Sequence, residues 1–410
     1  MKFIPFDPYG HGLDLSYEKD VSYFVRNTED HFKYASKNKR KVLALMSGGV
    51  DSTACGLLAH RALGASKFNG VHFEHGFMRE GECKEVLWDL NSRCNIPVTY
   101  RDLSKEFLPR VIDAGKDAEE KRKAVSETYF EVARKLANEF DADIILHGTI
   151  RPDWEETEGG IKTQHNVVTE RWKKRFEDDW IMVAEPLYYL YKPDSRNILR
   201  YFNMPSSVSE RQPFPGPGLA VRDIGQVSEN SLGVLRKLDS IVTSGLEPSM
   251  KVYRDQGKDV QYFAALMDAR TENVEIPSEC SGIKISNPRV AKDKVTGMVE
   301  NKRTYKSLLL FNSKPEYPIP IEPFAKASCE IIEKNKDIGR CAVVLRERDE
   351  GDYIALARAI TTKNFKTAEV AEPPASFVHI TANQIMNAIP QIRTLAYDVT
   401  PKPPATIEFE

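Results

Sequence analysis

Five short apolar runs recur along the first half of the chain, with helical stretches between them. "KVLALM" (41–46), "FNGVHFE" (68–74), "IPVTYRDL" (96–103), "ADIILHGT" (142–149) and "WIMVAEPL" (180–187) have the length and composition of strands. "DSTACGLLAHRAL" (51–63), "GECKEVLWDLNSRC" (81–94) and "EKRKAVSETYFEVARKLANEF" (120–140) repeat apolar residues at helical spacing. Strand and helix in alternation predict a doubly wound parallel α/β sheet with right-handed crossovers. "KVLALM" is apolar without interruption, which suits a central strand buried on both faces.

The pattern changes near residue 222. "QPFPGPG" (212–218) predicts a rigid loop between domains. Beyond it a helical "SENSLGVLRKLDSIVTSGL" (228–246) leads to strand-like "RCAVVLRER" (340–348) and "DYIALARAI" (352–360), then a late helix at "ANQIMNAI" (382–389), an α+β order. Residues 1–40 mix charges and aromatics up to "SKNKRK" and form an N-terminal extension. The expected division is 1–40, a sheet domain over 41–225, and a smaller α+β domain over 226–410.

Composition narrows the function classes. A length of 410 residues suits about two domains. A formal net charge of -2 gives no electrostatic footprint for nucleic acid. "MKFIPFDPYGHG" lacks the basic and apolar regions of a signal peptide, and no 18-residue apolar stretch occurs, so a cytoplasmic protein without membrane contact is expected. Six scattered cysteines without a C-x-x-C pair predict reduced thiols rather than disulfides or a zinc site.

The candidate chemistry begins at "ALMSGGVDSTACGLL" (44–58), where a strand becomes a helix through two glycines. The first turn of a helix has unpaired N–H groups and the positive end of the helix dipole, a natural anion site. Ser47, Gly48 and Gly49 form a cradle, Ser47, Ser52 and Thr53 offer hydroxyls, and Asp51 holds a Mg²⁺ or caps the helix. An ordinary strand-to-helix turn is the competing reading. No Gly-Lys-Ser/Thr follows, so transfer of a γ-phosphate is not indicated. Ligands of such sheets sit beyond the carboxyl ends of the strands, where Ser47, Glu74 and His147 fall.

Five segments carry a resemblance. "SGGVDS" (47–52) resembles the PP-loop of the ATP pyrophosphatases, which cleave ATP to AMP and pyrophosphate. "HGTIRPDWEET" (147–157), "IKTQHNV" (161–167), "RQPFPGPGLAVR" (211–222) and the terminal "KPPATIEFE" (402–410) are similar, in order, to motifs in the synthetase part of GMP synthases. The resemblance implies an adenine nucleotide α-hydrolase-like domain followed by a dimerisation domain that helps hold the acceptor, hence a homodimer. It implies ATP and Mg²⁺ as cofactors, xanthosine monophosphate as acceptor, and release of AMP and pyrophosphate. ATP falls to Ser47, Gly48, Gly49, Val50, Asp51, Ser52, Thr53, Glu74, Gly148 and Asp153, with Asp51 also on the metal. Catalytic roles fall to Asp51, Lys162 and His165, the latter two on a lid with Asn166. Alone, Lys162 reads as a solvated loop lysine. The acceptor falls to Arg211, Pro215, Gly216, Lys402, Thr406, Ile407 and Glu408; Arg211 and Arg222, flanking the Pro-Gly loop, are the weaker candidates, for phosphate or interdomain contacts.

Departures from the family pattern are specific. No Gly-x-Cys-x-Gly nucleophile turn occurs and residues 1–40 are too few for a glutaminase, so ammonia is expected free or from a separate glutaminase subunit. "EHG" (74–76) stands for Asp-Asn-Gly, Gln164 stands for the first lid histidine, and "RERDEGDY" (346–353) does not match Gly-Asp-x-Arg. These leave two alternatives: a related enzyme with another purine acceptor or a sulfur donor, using Cys55 or Cys83, and a nucleotide-binding regulatory dimer without turnover.

Overall fold

The computed structural model describes residues 13–37, 40–158, 181–300, 302–313, 320–363 and 366–410. The chain forms two compact units, one of Met1–Arg110 with Arg122–Gly216, the other of Val111–Lys121 with Pro217–Glu410.

The first unit carries a five-stranded parallel sheet in the order β3-β2-β1-β4-β5. Its strands are β1 (Val42–Leu45), β2 (Phe68–Glu74), β3 (Val98–Asp102), β4 (Ile144–Leu146) and β5 (Met182–Ala184). Each coincides with one of the five apolar runs, and β1 is central and buried at every position. Val42, Ala44 and Met46 enter one hydrophobic core, while the buried Leu43 and Leu45 alternate to the other face. Helix α1 (Glu18–Ala35) supplies Val21, Phe24, Val25 and Phe32 to that core, a stripe at i, i+3, i+4 and i+11 that makes the N-terminal segment part of the packed unit. It meets Ala54, Leu57 and Leu58 of α2 (Val50–Leu63) there. Helices α3 (Glu82–Trp88), α4 (Ser104–Asp113), α5 (Ala118–Phe140) and α6 (Arg151–Glu158) complete the alternation. The expected helix over 81–94 is divided: α3 ends at Trp88 and a π-type turn continues to Arg93.

The second unit is built on a nine-stranded mixed sheet. It runs β6 (Asp223–Ile224), β7 (Asp259–Asp268), β14 (Tyr353–Thr362), β16 (Ile392–Asp398), β13 (Ile338–Glu347), β12 (Lys302–Asn312), β11 (Ser286–Val299) and β8 (Thr271–Asn273), with β15 (Glu369–Val370) paired to β14. A separate pair joins β9 (Glu279–Cys280) to β10 (Ile283–Lys284). A 27-residue helix, Glu229–Asp255, is capped at Ser228 and buries Leu235, Leu238, Val242 and Leu246.

The terminal segment is stitched into this sheet. Lys402 pairs with Ala368, the Met298 N–H donates to the Pro404 carbonyl, and the Thr296 N–H donates to the Phe409 carbonyl. Arg340 and Arg358, both fully buried, donate to one oxygen of Asp398 at 2.9 and 2.7 Å. Both guanidiniums also reach tail carbonyls, Arg340 at Thr406 (2.8 Å) and Glu408, Arg358 at Thr406 (3.0 Å) and Ile407 (2.8 Å). Lys121, fully buried, donates to the carbonyls of Asp223 (2.8 Å) and Gly225 (3.1 Å) and pairs with the Glu410 carboxylate.

Asp223 lies in the same buried cluster and accepts from the Ser231 hydroxyl at 2.5 Å. Burial pushes its carboxyl up to about 7, against the pull of that hydroxyl and of Lys121. The folded chain therefore keeps a proton that the unfolded chain releases near pH 4. Stability is expected to fall as pH rises from about 4 to about 7, by up to about 4 kcal/mol for this group. Asp223→Asn should flatten the slope in urea titrations, and an unchanged slope would count against the assignment.

Candidate active site

The turn that follows β1 is approached by the loop after β4 and by α3. The chain leaves β1 at Leu45 and enters α2 at Val50 through Met46, Ser47, Gly48 and Gly49. Gly48 has φ +80°, a conformation glycine adopts without strain, and a Cβ there would lie 2.5 Å from a methyl of Val86 on α3. Gly49 is the helix N-cap in extended backbone, and no side chain caps α2. The first-turn amides of a 14-residue helix thus face the turn with glycine at the approach. Around them the Ser47 and Ser52 hydroxyls are 2.9 Å apart, the Gly49 N–H donates to Ser47 Oγ (3.3 Å), and Ser52 Oγ donates to the Gly49 carbonyl (3.1 Å). Val50 and Thr53 are buried.

The loop after β4 closes in from the side. A Cβ at Gly148 would lie 3.2 Å from the Ser52 nitrogen, so its glycine permits close approach to the first turn of α2. His147 donates from Nδ1 to Thr149 Oγ1 (2.7 Å), which donates to the buried Glu185 carboxylate (2.7 Å). Asp153 accepts from the Ile150 N–H (3.0 Å) at the start of α6. Glu74, at the end of β2, accepts from the Gly76 N–H (2.7 Å) and from the Cys83 thiol (3.3 Å).

Asp51 carries the site's charge. One oxygen accepts from Lys192 Nζ at 2.7 Å, and the other is buried with no hydrogen-bond partner among the described residues. A lone buried carboxylate oxygen beside the uncapped first turn of α2 fits Mg²⁺, which takes one or two carboxylates and completes its shell with other oxygens and water. Lys192 was missed by sequence reasoning. Its one visible signal is a lysine opening the helix Lys192–Tyr201 with proline next to it, a pattern that surface helices share.

The acceptor candidates divide between the units. In the first, Arg211 lies 3.8 Å from Glu82 and 3.9 Å from Asp89, Pro215 is half-buried and Gly216 exposed, and the Arg79 guanidinium stacks on Phe214 at 4.5 Å. In the second, Thr406 Oγ1 accepts from Arg340 (2.7 Å), Ile407 is half-buried, and the Glu408 carboxylate is held by both Arg222 (2.9 and 3.0 Å) and Gln261 (2.9 Å). Arg222 is fully buried over the Phe263 ring, an internal ion pair rather than a surface one. Lys162, Gln164, His165 and Asn166 lie outside the described residues.

The cysteines do not favour a sulfur donor. Burial and the neighbouring Asp51 and Glu185 carboxylates push the Cys55 thiol well up, and burial with Glu74 does the same to Cys83. A thiol so placed is a poor nucleophile. No described helix is long and apolar enough to cross a membrane.

Residues 336–409 match the GMP synthase C terminal domain family. A GMP synthase (glutamine-hydrolyzing) subunit of Saccharolobus solfataricus is 35% identical over 400 residues, covering 95% of this chain and 100% of that protein. The subunit of the same name from Methanopyrus kandleri is 31% identical (90% and 93% covered), and that from Methanocaldococcus jannaschii 29% identical (95% and 99%). Among solved structures, an NMN synthetase from Francisella tularensis aligns with TM-score 0.39 at 14% identity, over 53% of this chain and 83% of that one. With more than a third of its residues identical across the full length of the Saccharolobus solfataricus protein, the chain belongs to this family of GMP synthase subunits.

Proposed function

We propose that the chain converts xanthosine monophosphate to GMP with ATP, through an adenylated base, releasing AMP and pyrophosphate. The observation that carries this reading is the strand-to-helix turn at Ser47–Ser52, with its uncapped amides, paired hydroxyls and closely packed glycines. Hydroxide is a poor leaving group, so the 2-oxygen of the purine must first become an ester. That oxygen attacks the α-phosphorus of ATP, the P–O bond to pyrophosphate breaks, and ammonia then displaces AMP from the base. The catalytic demand is to position the reactants and to neutralise charge on the departing pyrophosphate. The Val50–Ser52 amides and the Ser47 and Ser52 hydroxyls meet that demand as donors. Mg²⁺, held at Asp51, would add charge neutralisation on the phosphates.

Lys162 and His165 take their lid roles from the family resemblance, as do the acceptor roles of Arg211 and the 402–410 tail. A homodimer and a cytoplasmic setting belong to the same reading. The curated relatives are named as one subunit of a glutamine-hydrolyzing synthase, a name that fits a separate glutaminase subunit as the nitrogen source.

The direct test is pyrophosphate release with ATP, Mg²⁺ and ammonium across purine monophosphates, with the product identified by mass. Release with xanthosine monophosphate, yielding GMP, is expected. Ser47→Ala should lower it by about 10²-fold, the effect of one lost donor to developing charge. Release with a different purine monophosphate would reassign the acceptor, and nucleotide binding without release would make the chain a sensor.

A further inference from the structure

We propose that Lys192 is a positioning residue for the pyrophosphate-binding turn: it holds one oxygen of Asp51 so that the other takes the divalent cation arriving with ATP. The inference rests on the metal role proposed above for Asp51 and extends it to a residue outside the PP-loop. The ammonium lies 2.7 Å from Asp51 Oδ2, with side chains 22% and 17% exposed, so solvent screens this pair less than a surface one. Asp51 Oδ1 is buried and without a partner among the described residues, so the carboxylate has one committed and one uncommitted oxygen.

The placement of Lys192 needs such a partner. It opens the helix Lys192–Tyr201, where a cation opposes the positive end of the helix dipole. The start of that helix is rigid: the Tyr191 N–H donates to Asp194 (2.8 Å) and a proline follows Lys192. Ile198 and Leu199 anchor it in the core that also takes Val50, Ala54 and Leu57 of α2. Two helices sharing one core thus fix both ends of the ion pair. Without the ammonium, a bare Asp51 carboxylate would also repel the phosphates it must sit beside.

The test is Mn²⁺ binding by electron paramagnetic resonance, with inorganic pyrophosphate present, to the full chain and its variants. Lys192→Met should weaken Mn²⁺ binding by roughly tenfold or more, the size of a lost charge-assisted contact. Lys192→Arg, which keeps the charge, should recover most of the loss. In an Asp51→Asn background, Lys192→Met should add less than about twofold, since it acts through that carboxylate. Unchanged or tighter binding in Lys192→Met, an arginine no better than methionine, or additive losses would each overturn the proposal. If Asp51→Asn alone leaves Mn²⁺ binding intact, the metal role of Asp51 falls and takes this inference with it. If Asp51→Asn weakens binding and Lys192→Met does not, only the role of Lys192 falls.

Discussion

Gly48→Ala is expected to lower pyrophosphate release by about 10²- to 10³-fold or more, the range for displaced donors to developing charge, while far-ultraviolet circular dichroism stays native. Two separate penalties act at this position. The backbone sits at φ +80°, which disfavours any residue with a Cβ, and the added methyl would lie 2.5 and 2.7 Å from the two methyls of Val86. Val86 is fully buried, so it cannot swing aside. The turn or α3 must move, and the amides move with it. Gly49→Ala is the control: φ is −69° and the nearest atom to its Cβ is Ser47 Oγ at 3.4 Å, an ordinary contact. It should lose far less activity. Adding Val86→Ala to Gly48→Ala should recover part of the loss, because it removes the clash and leaves the backbone strain. Wild-type turnover in Gly48→Ala would remove the turn from the site.

The second large effect is expected at Asp398→Asn, which should destabilise the second unit by about 3–5 kcal/mol, as when one partner of a buried ion pair is removed. Arg340 and Arg358 converge on a single Asp398 oxygen, and neither guanidinium has access to water. Burial and the nearby Arg358 already lower Arg340 to about 9, with Asp398 the main opposing influence. An amide leaves two buried cations facing each other. The same guanidiniums hold the carbonyls of Thr406, Ile407 and Glu408, so the tail should loosen along with them. Urea midpoints read the first consequence and limited proteolysis near residues 402–410 the second. A midpoint shift worth less than about 1 kcal/mol would refute the account.

How much of this was legible follows from where the signals are local. The central strands β1 and β4 announce themselves because they are buried at every position and so read as apolar runs, whereas the edge strand β3, largely exposed after Val98, is marked by its β-branched and aromatic residues. The glycine turn is legible as a strand-to-helix junction because the residues that form it are neighbours in the chain. Helix α1 went unassigned since its stripe of Val21, Phe24, Val25 and Phe32 is diluted by Tyr23, Tyr34 and charges on the open face. The hairpin of β11 and β12 escaped for a related reason: although its pairing is local, "RVAKDKVTGMV" and "KRTYKSLLLF" interleave lysines and arginines with apolar residues and blur the strand signal. Lys192 was missed because its partner Asp51 is 141 positions away and its local pattern is one that surface helices share. Chemistry assembled across such distances is written in the fold and not in any window of the chain.

Lys121 has a consequence for anyone wishing to dissect the molecule. Its carbonyl partners, Asp223 and Gly225, stand 102 and 104 positions downstream, and its carboxylate partner is Glu410. A fragment cut at the Pro-Gly loop, beginning at Pro217, would keep every strand of the large sheet and lose Lys121, along with Lys116, which pairs with Asp293, and Glu119, which holds Arg303 and Tyr305. The Glu410 carboxylate, buried beside Asp223, would then lose the Lys121 ammonium, which favours the protonated form of the two neighbouring acids. On a ribosome the order of synthesis imposes the same gap, since Lys121 is made about a hundred residues before its first partner and must wait in water. Gene fragments meant to express the second unit alone should therefore carry residues 111–121 back in, by circular permutation or a linker, rather than begin where the sheet does.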